Sequence, residues 1–414
     1  MAEASRYVNK VHCVVLLLTQ FPRSSFTVKT NHNIYGKMAE VQGECDARFS
    51  NLKELLRDFV TSVEELGASI CVNIDGTNVV DIWGGWQDVN QTQPWTRDTL
   101  TVVWSITKNI TNLAALMLID RGLLDPYEKV SKYWPEFAAN GKENVEVRHF
   151  MSHSSGVPSW DPPITFEEIC DVPKATAKLA EQAPWWTPGT SSGYHLVNQG
   201  HLIGELIRRV TGKSLKEYVE SEITGPLGAD FHIGARMEDY PRIGEMVPPP
   251  QRPFAESAAD SIGKRAGMGS PLKAEYHELD IFRGAAMGAC NGFGNARSVA
   301  RTLCAISLGG AVDGHKLLKP ETINLIFKEQ TKGVDLVLGA PLTFGIGFGL
   351  PNPEGNKKWI PDGKICYWGG WGGSIAIMDT ERRMTITYTM NRMEPGTTGS
   401  QRTEAYVRAI YDAL

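Results

Sequence analysis

The stretch Thr99-Leu100-Thr101-Val102-Val103-Trp104-Ser105-Ile106-Thr107-Lys108 changes its periodicity at Ser105. Thr99 to Val103 reads as extended chain. Beyond it Ile106, Ile110, Leu113 and Met117 recur at i, i+4, i+7 and i+11, one face of a helix that Gly122 ends. Ser105-Ile106-Thr107-Lys108 therefore stands at a strand-to-helix junction. Residues i and i+3 share a helix face, so the Lys108 amine can lie beside the Ser105 hydroxyl. A lysine among apolar or cationic groups loses its proton near neutrality and becomes a general base. The helix N-terminus favours the negative charge that develops there. The same S-x-x-K spacing occurs at Ser50, Ser261 and Ser270, but Ser50 reads as a helix N-cap and the other two lie in a Gly/Pro-rich excursion. Ser105 is the candidate nucleophile.

Working outward, residues 50–66 carry apolar positions at helical spacing, with Gly67 as a helix stop. Ala68 to Asp75 and Val79 to Trp86 predict a hairpin around Asp75-Gly76. Leu202, Ile203, Leu206, Ile207 and Val210 predict a helix closed by Gly212, and Ser214 with Glu217 forms a capping box for the next. Residues 228–292, with Pro248, Pro249 and Pro250 in a row, are irregular and suit a substrate lid. Gly369 to Ile377 and Arg383 to Asn391 predict a second hairpin, and a helix from about Gln401 closes the chain. Strands at both ends with helices between them point to an α/β (α+β) fold: an antiparallel sheet flanked by helices, built from about 45–124 and 295–414, and a helical part at about 125–294.

Composition narrows the function. With 414 residues, 42 basic against 47 acidic and no long basic block, the chain can bury a sizeable core and is not built for nucleic acid. Cysteines 13, 45, 71, 170, 290, 304 and 366 are scattered, with no CxxC pair or Cys/His cluster. That argues against a disulfide framework and a zinc site, and suits buried free thiols in a reducing, cytoplasmic compartment. Residues 1–37 differ from the rest: Arg6 and Lys10 precede an apolar run, Val11 to Leu18. The run is too short for a membrane span of about 20 residues and reads as a weak targeting segment or an extension before a catalytic domain over 38–414.

Two further features complete a constellation. Tyr194 follows the turn Pro188-Gly189-Thr190-Ser191-Ser192-Gly193, and Trp368-Gly369-Gly370-Trp371-Gly372-Gly373-Ser374 offers backbone N–H groups that glycine lets a ligand approach. Taken singly, a tyrosine before an amphipathic helix is a packing residue and a Gly-rich run is a tight strand edge. In the order Ser105, Tyr194, Trp368 they resemble the serine β-lactamase and penicillin-binding-protein superfamily, and within it the class C-like family VIII carboxylesterases. Trp83-Gly84-Gly85-Trp86, Arg121-Gly122-Leu123-Leu124-Asp125, Ser152-His153-Ser154-Ser155-Gly156 and Gly225-Pro226-Leu227-Gly228 resemble the same superfamily. The likeness spans roughly residues 40 to 414.

The resemblance implies a β-lactamase/transpeptidase-like fold and an acyl-enzyme on Ser105. Lys108 and Tyr194 share the proton transfers, and the backbone N–H groups of Ser105 and Trp371 form an oxyanion hole. Trp368, Gly369, Gly370 and Leu196 contact a small-molecule ester. No cofactor or metal is implied, and His153, in a stretch that is a structural turn in the superfamily, is expected to be structural rather than a triad histidine. Two departures bear on substrate: Leu196 stands where β-lactamases carry the Asn of Tyr-x-Asn, and Trp368 where their third motif begins with Lys or His. Both remove groups that serve a charged β-lactam. The expected activity is ester hydrolysis. Alternatives are acyl transfer to an alcohol, as in fungal transesterases of polyketide biosynthesis, and a catalytically inactive binding member. Oligomeric state is not legible.

Overall fold

The turn at Asp75-Gly76 places both residues in the left-handed region, at φ 51° and 87°. That two-residue geometry matches the twist of the strands it joins, Gly67–Ile74 and Thr77–Gly85. The structure, a computed structural model, describes residues 40–250, 261–355 and 358–414; the expectations for residues 1–37 lie outside them. Residues from Ala39 to Leu414 form one compact unit.

The hairpin belongs to a nine-stranded antiparallel sheet. Its spatial order is Gln42–Cys45, Thr77–Gly85, Gly67–Ile74, Met384–Met390, Ile375–Asp379, Ile365–Gly369, Gly349–Leu350, Pro341–Phe344 and Thr331–Val334. Gly67–Ile74 pairs directly with Met384–Met390, so the two ends of the unit meet in mid-sheet, and the described residues between Gly85 and Thr331 are an excursion from it. Successive residues of Met384–Met390 face opposite layers, as the pleat requires. Thr385 and Thr387 hydrogen-bond to Ser307 and the Ala296 carbonyl of helix Ala296–Ser307. Tyr388 faces the other way, against Tyr406 of helix Gln401–Asp412. That helix packs on Asn51–Thr61 through Phe59 and Tyr406, ring centroids 5.5 Å apart.

A buried ion pair ties this second layer to the sheet. Arg402 donates to Glu65 at 2.5 Å, to Glu394 at 2.7 Å and to the Arg392 carbonyl at 2.6 Å, while the Tyr388 hydroxyl donates to Glu65 at 2.5 Å. Both Glu65 and Arg402 are buried.

Several expectations need correction. The first helix stops at Thr61, not at Gly67, because Val63 turns left-handed at φ 65°. Gly67 instead opens a strand, where a Cβ would lie 2.3 Å from the Trp95 ring and 2.4 Å from the Trp86 carbonyl. Of Thr99–Val103 only Thr101–Val102 forms a strand, in a separate three-stranded sheet with Gly292–Gly294 and His232–Ile233, while Leu100 makes an isolated parallel bridge with Ile243. Gly369 to Ile377 is not one strand: Ile365–Gly369 and Ile375–Asp379 flank a turn that holds Gly372 and Gly373 at φ 96° and 122°. Gln199–Thr211 does end in a left-handed Gly212, and the Ser214/Glu217 box forms both bonds. The described part of 228–292 holds short helices such as Met237–Arg242, Ile262–Met268 and Asp280–Gly284 between irregular stretches and the strand His232–Ile233. Among the described residues no helix is long and apolar enough to cross a membrane.

Arg402→Ala leaves the Glu65 carboxylate buried without its cation. Breaking a buried pair from one side costs about 3–5 kcal/mol, so the urea midpoint at pH 7 should fall well below that of the parent. An unchanged midpoint would show that the pair contributes nothing to stability.

Candidate active site

Val103 donates to the Gly292 carbonyl at 2.9 Å, and the chain then reverses through Trp104 at φ 48°, a costly conformation for an aromatic residue. Surrounding contacts hold it there. The Trp104 ring is buried edge-on against Trp371, centroids 5.2 Å apart, and near Phe282 at 6.0 Å. Thr107 donates its hydroxyl to the Trp104 carbonyl at 2.6 Å and accepts from the Gly292 N–H at 2.8 Å. Ser105 thus sits on a single 3-10 turn, Trp104–Ile106, that feeds helix Thr107–Asp120, and is only 8% exposed.

One helical turn on, Lys108 Nζ lies 3.0 Å from Ser105 Oγ. Its other partners are backbone carbonyls, Leu196 at 2.9 Å and Ala289 at 3.0 Å. None is charged, and the amine is buried. Desolvation therefore pulls its pKa down to about 7, against a small opposing contribution from the Cys290 thiol. The amine also stands 4.9 Å from the centroid of the Tyr194 ring.

Tyr194 and Trp368 pack with centroids 5.1 Å apart, and the Trp368 indole N–H donates to the Tyr194 hydroxyl at 2.9 Å. Leu342 and Phe344 complete this apolar cluster, with Leu196 packed against it. Burial raises the Tyr194 phenol above its ordinary value; hydrogen bonds to Ser105 and Trp368 offset this only in part. His153 is wedged among Tyr194, Phe344, Trp368 and His195. It accepts the His195 N–H at 3.1 Å, and its carbonyl accepts the Gly193 N–H at 2.9 Å. Burial holds His153 well below its usual range and His195 at about 3, so both are neutral packing groups. Among the described residues His153 makes no hydrogen bond to Ser105.

The Gly-rich turn meets the nucleophile strand closely. A Cβ on Gly370 would lie 2.4 Å from the Val103 carbonyl and 2.2 Å from Ser374 Oγ. Gly370 N–H donates to Ser374 at 2.8 Å, Glu394 N–H to Gly372 at 2.8 Å, and the Thr403 hydroxyl to Gly373 at 2.5 Å. Trp371 lies in this turn, between the strands. Among the described residues neither its N–H nor that of Ser105 has an acceptor.

Ser105, Lys108, Tyr194, Leu196 and Trp368 are thus brought together, with Gly369, Gly370 and Trp371 beside them. The other S-x-x-K serines are elsewhere: Ser50 and Ser261 precede helices, the latter capping Lys264 N–H, and Ser270 bonds to Ser159 at 2.8 Å. Sequence inspection missed Asp335, which accepts the Tyr194 N–H at 3.0 Å. An aspartate between Val334 and Leu336 carries no pattern that separates it from a turn residue.

The sequence profile of the beta-lactamase family matches residues 52–410. The chain belongs to that family. It is accordingly an enzyme of the serine-hydrolase type. It is 31% identical over 373 residues to "Esterase/beta-lactamase LipL" of Mycobacterium tuberculosis, covering 85% of this chain and 83% of LipL. It is 25% identical to esterase EstB of Burkholderia gladioli over 349 residues, 76% of this chain and 83% of EstB. A solved family VIII carboxylesterase superposes with a TM-score of 0.85 at 32% identity, over 91% of this chain and 100% of the other. Simvastatin synthase LovD of Aspergillus terreus, with a TM-score of 0.64 at 19% identity over 88% of this chain and 97% of LovD, shares the fold.

If the neutral Lys108 amine takes up the Ser105 proton, labelling of Ser105 by a fluorophosphonate should speed up as pH rises through about 7 and then level off. Lys108→Ala should abolish the step. A flat rate from pH 5 to 9 in the parent would disconnect the lysine from the serine.

Proposed function

We propose that this enzyme is a serine esterase that cleaves small, uncharged carboxylic esters through an acyl-Ser105 intermediate. The observation that carries this is the buried Lys108 amine, 3.0 Å from Ser105 Oγ, with only neutral partners. Ser105 Oγ attacks the ester carbonyl carbon while Lys108 Nζ accepts its proton. The carbonyl oxygen takes the electron pair and is met by the N–H groups of Ser105 and Trp371; one such donor is worth about 3–4 kcal/mol in a well-formed hole. When the C–O bond breaks, the Tyr194 hydroxyl protonates the departing alkoxide and is reprotonated from Lys108. Water then enters, gives a proton back along the same path and attacks the acyl carbon. Ser105 leaves as alkoxide and recovers its proton.

The substrate class follows from charge. A penicillin-like substrate brings a carboxylate into the site, and an unpaired ion leaving water is costly. At 368 an indole offers one N–H and no positive charge, and that N–H is already bonded to Tyr194. Leu196 supplies no side-chain amide. An uncharged acyl chain loses nothing by either change and packs on the Trp368 ring. A second reading is acyl transfer. Trp104, Trp368 and Tyr194 are buried around Ser105, and such apolar walls admit an alcohol acceptor as readily as water.

Ser105→Ala should lower kcat/KM for p-nitrophenyl butyrate by at least about 10³-fold in a protein that remains folded. Near-parent activity in a folded Ser105→Ala protein would refute Ser105 as the nucleophile. On one preparation p-nitrophenyl butyrate should be turned over far faster than nitrocefin, and Trp368→Lys should shift that ratio toward nitrocefin. Nitrocefin equal to the ester in the parent would refute the assigned substrate class. Added butanol should yield butyl butyrate in proportion to any transfer activity.

A further inference from the structure

Asp335 belongs to none of the three motifs, yet it is fully buried within the Tyr194 region. Its Oδ1 accepts three backbone N–H groups: Val337 at 3.0 Å, Leu338 at 2.9 Å and Tyr194 at 3.0 Å. The first two close a local turn and need no explanation beyond it. The third crosses 141 residues of sequence to reach the backbone of the tyrosine itself. A second bond reinforces the grip, since Leu336 N–H donates to the Ser192 carbonyl at 2.9 Å. The loop from 335 to 340 therefore holds the chain at two points around Gly193. Its Val337 and Leu338 side chains pack on the Tyr194–Trp368 cluster. Among the described residues Asp335 has no ion-pair partner, and its Oδ2 has no hydrogen-bond donor. A carboxylate buried in this way is a poor choice for stability alone.

We infer that Asp335 is a positioning residue for Tyr194: its carboxylate pins the tyrosine backbone so that the hydroxyl reaches Trp368 Nε1 and Ser105 together. The inference rests on the acid role given to Tyr194 under the proposed function. Asp335 touches no substrate and acts only through the tyrosine. Its removal frees the Tyr194 backbone without opening the acyl pocket, so turnover suffers and binding does not.

The test is a double-mutant cycle in the full chain with p-nitrophenyl butyrate, on Asp335→Ala, Asp335→Asn, Tyr194→Phe and the Asp335→Ala/Tyr194→Phe pair. Displacement of a catalytic group by about 1 Å costs on the order of 10²-fold. Asp335→Ala should therefore lower kcat by at least about 30-fold with KM within about threefold. Asp335→Asn keeps an oxygen acceptor for the same N–H groups and should recover kcat to within about fivefold of the parent. With Phe at 194, adding Asp335→Ala should cost less than about threefold more, because the hydroxyl it positions is gone. If Asp335→Ala does not accumulate folded, Asp335→Leu, which fills the volume without charge, takes its place in the cycle. Equal losses in both backgrounds, an Asn variant as poor as Ala, or an unchanged kcat would each overturn the inference. A Tyr194→Phe variant with full activity would instead remove the acid role of Tyr194, and the inference with it. A strongly impaired but measurable Tyr194→Phe with an additive cycle removes the inference alone.

Discussion

A lysine amine kept out of water and away from any carboxylate sets the terms for the rest of this site. Lys108 Nζ is surrounded by Ser105 Oγ and two carbonyl oxygens, and its low pKa comes from desolvation. An aspartate at hydrogen-bond distance would favour the ammonium form and work against the base role proposed for it. The neighbours avoid that. The Cys290 thiol is pushed up to about 12 by burial and stays protonated, and His153 and His195 are buried neutral. Asp335 bonds to the Tyr194 backbone, not to the amine. The aromatic cluster of Tyr194, Phe344 and Trp368 is therefore more than filler: Tyr194 stands 4.9 Å from the amine and shares in the burial that pulls its pKa down to about 7.

Position is the second constraint, and it is met by backbone. The strand before Ser105 is squeezed between Gly292 and the Gly-rich turn, close enough that Gly370 has no room for a Cβ. The turn is in its turn anchored to helix Gln401–Asp412 through Thr403 and to residue 394, whose carboxylate accepts from Arg402. The buried Arg402–Glu65 pair lies just behind that anchorage. Stability and site geometry are thus linked through one helix, and the mid-sheet pairing of Gly67–Ile74 with Met384–Met390 makes the chain's two ends jointly responsible for it.

Much of this was legible where local physics decides. The Asp75-Gly76 turn, the 3.6-residue period after Ser105, the Gly212 stop and the Ser214 box are all short-range signals, and each element formed where expected. The preference for Ser105 over the other S-x-x-K serines rested on its junction, and that junction is where the lysine meets the hydroxyl. What escaped depends on residues far apart in sequence. Gly67 looked like a helix stop because its true reason, the approach of Trp86 and Trp95, is tertiary. The Gly-rich run was read as strand because alternation alone cannot show that Gly372 and Gly373 need positive φ. The left-handed Trp104 contradicts its own propensity and is held by Thr107, Trp371 and Phe282, so no local rule could announce it. Asp335 reaches Tyr194 across the fold for the same reason.

The indole at 368 has a consequence for how Lys108 and Tyr194 divide their work. A cation in that place would stabilise the phenolate and draw the tyrosine toward the role of base. Trp368 cannot: it offers a neutral N–H, and burial still holds the phenol above its ordinary value. The lysine, pulled down to about 7, is partly deprotonated at neutral pH and suits the base role proposed for it, while the protonated phenol suits that of acid. Two titrating groups pushed in opposite directions by one apolar pocket suit the acid and base roles proposed for them. The indole N–H also uses one lone pair of the Tyr194 oxygen, so the phenolic O–H does not point at Trp368 and is free for another acceptor. In the proposed reaction, an indole rather than a cation at 368 would leave a substrate carboxylate without a partner and leave the tyrosine to protonate the leaving group.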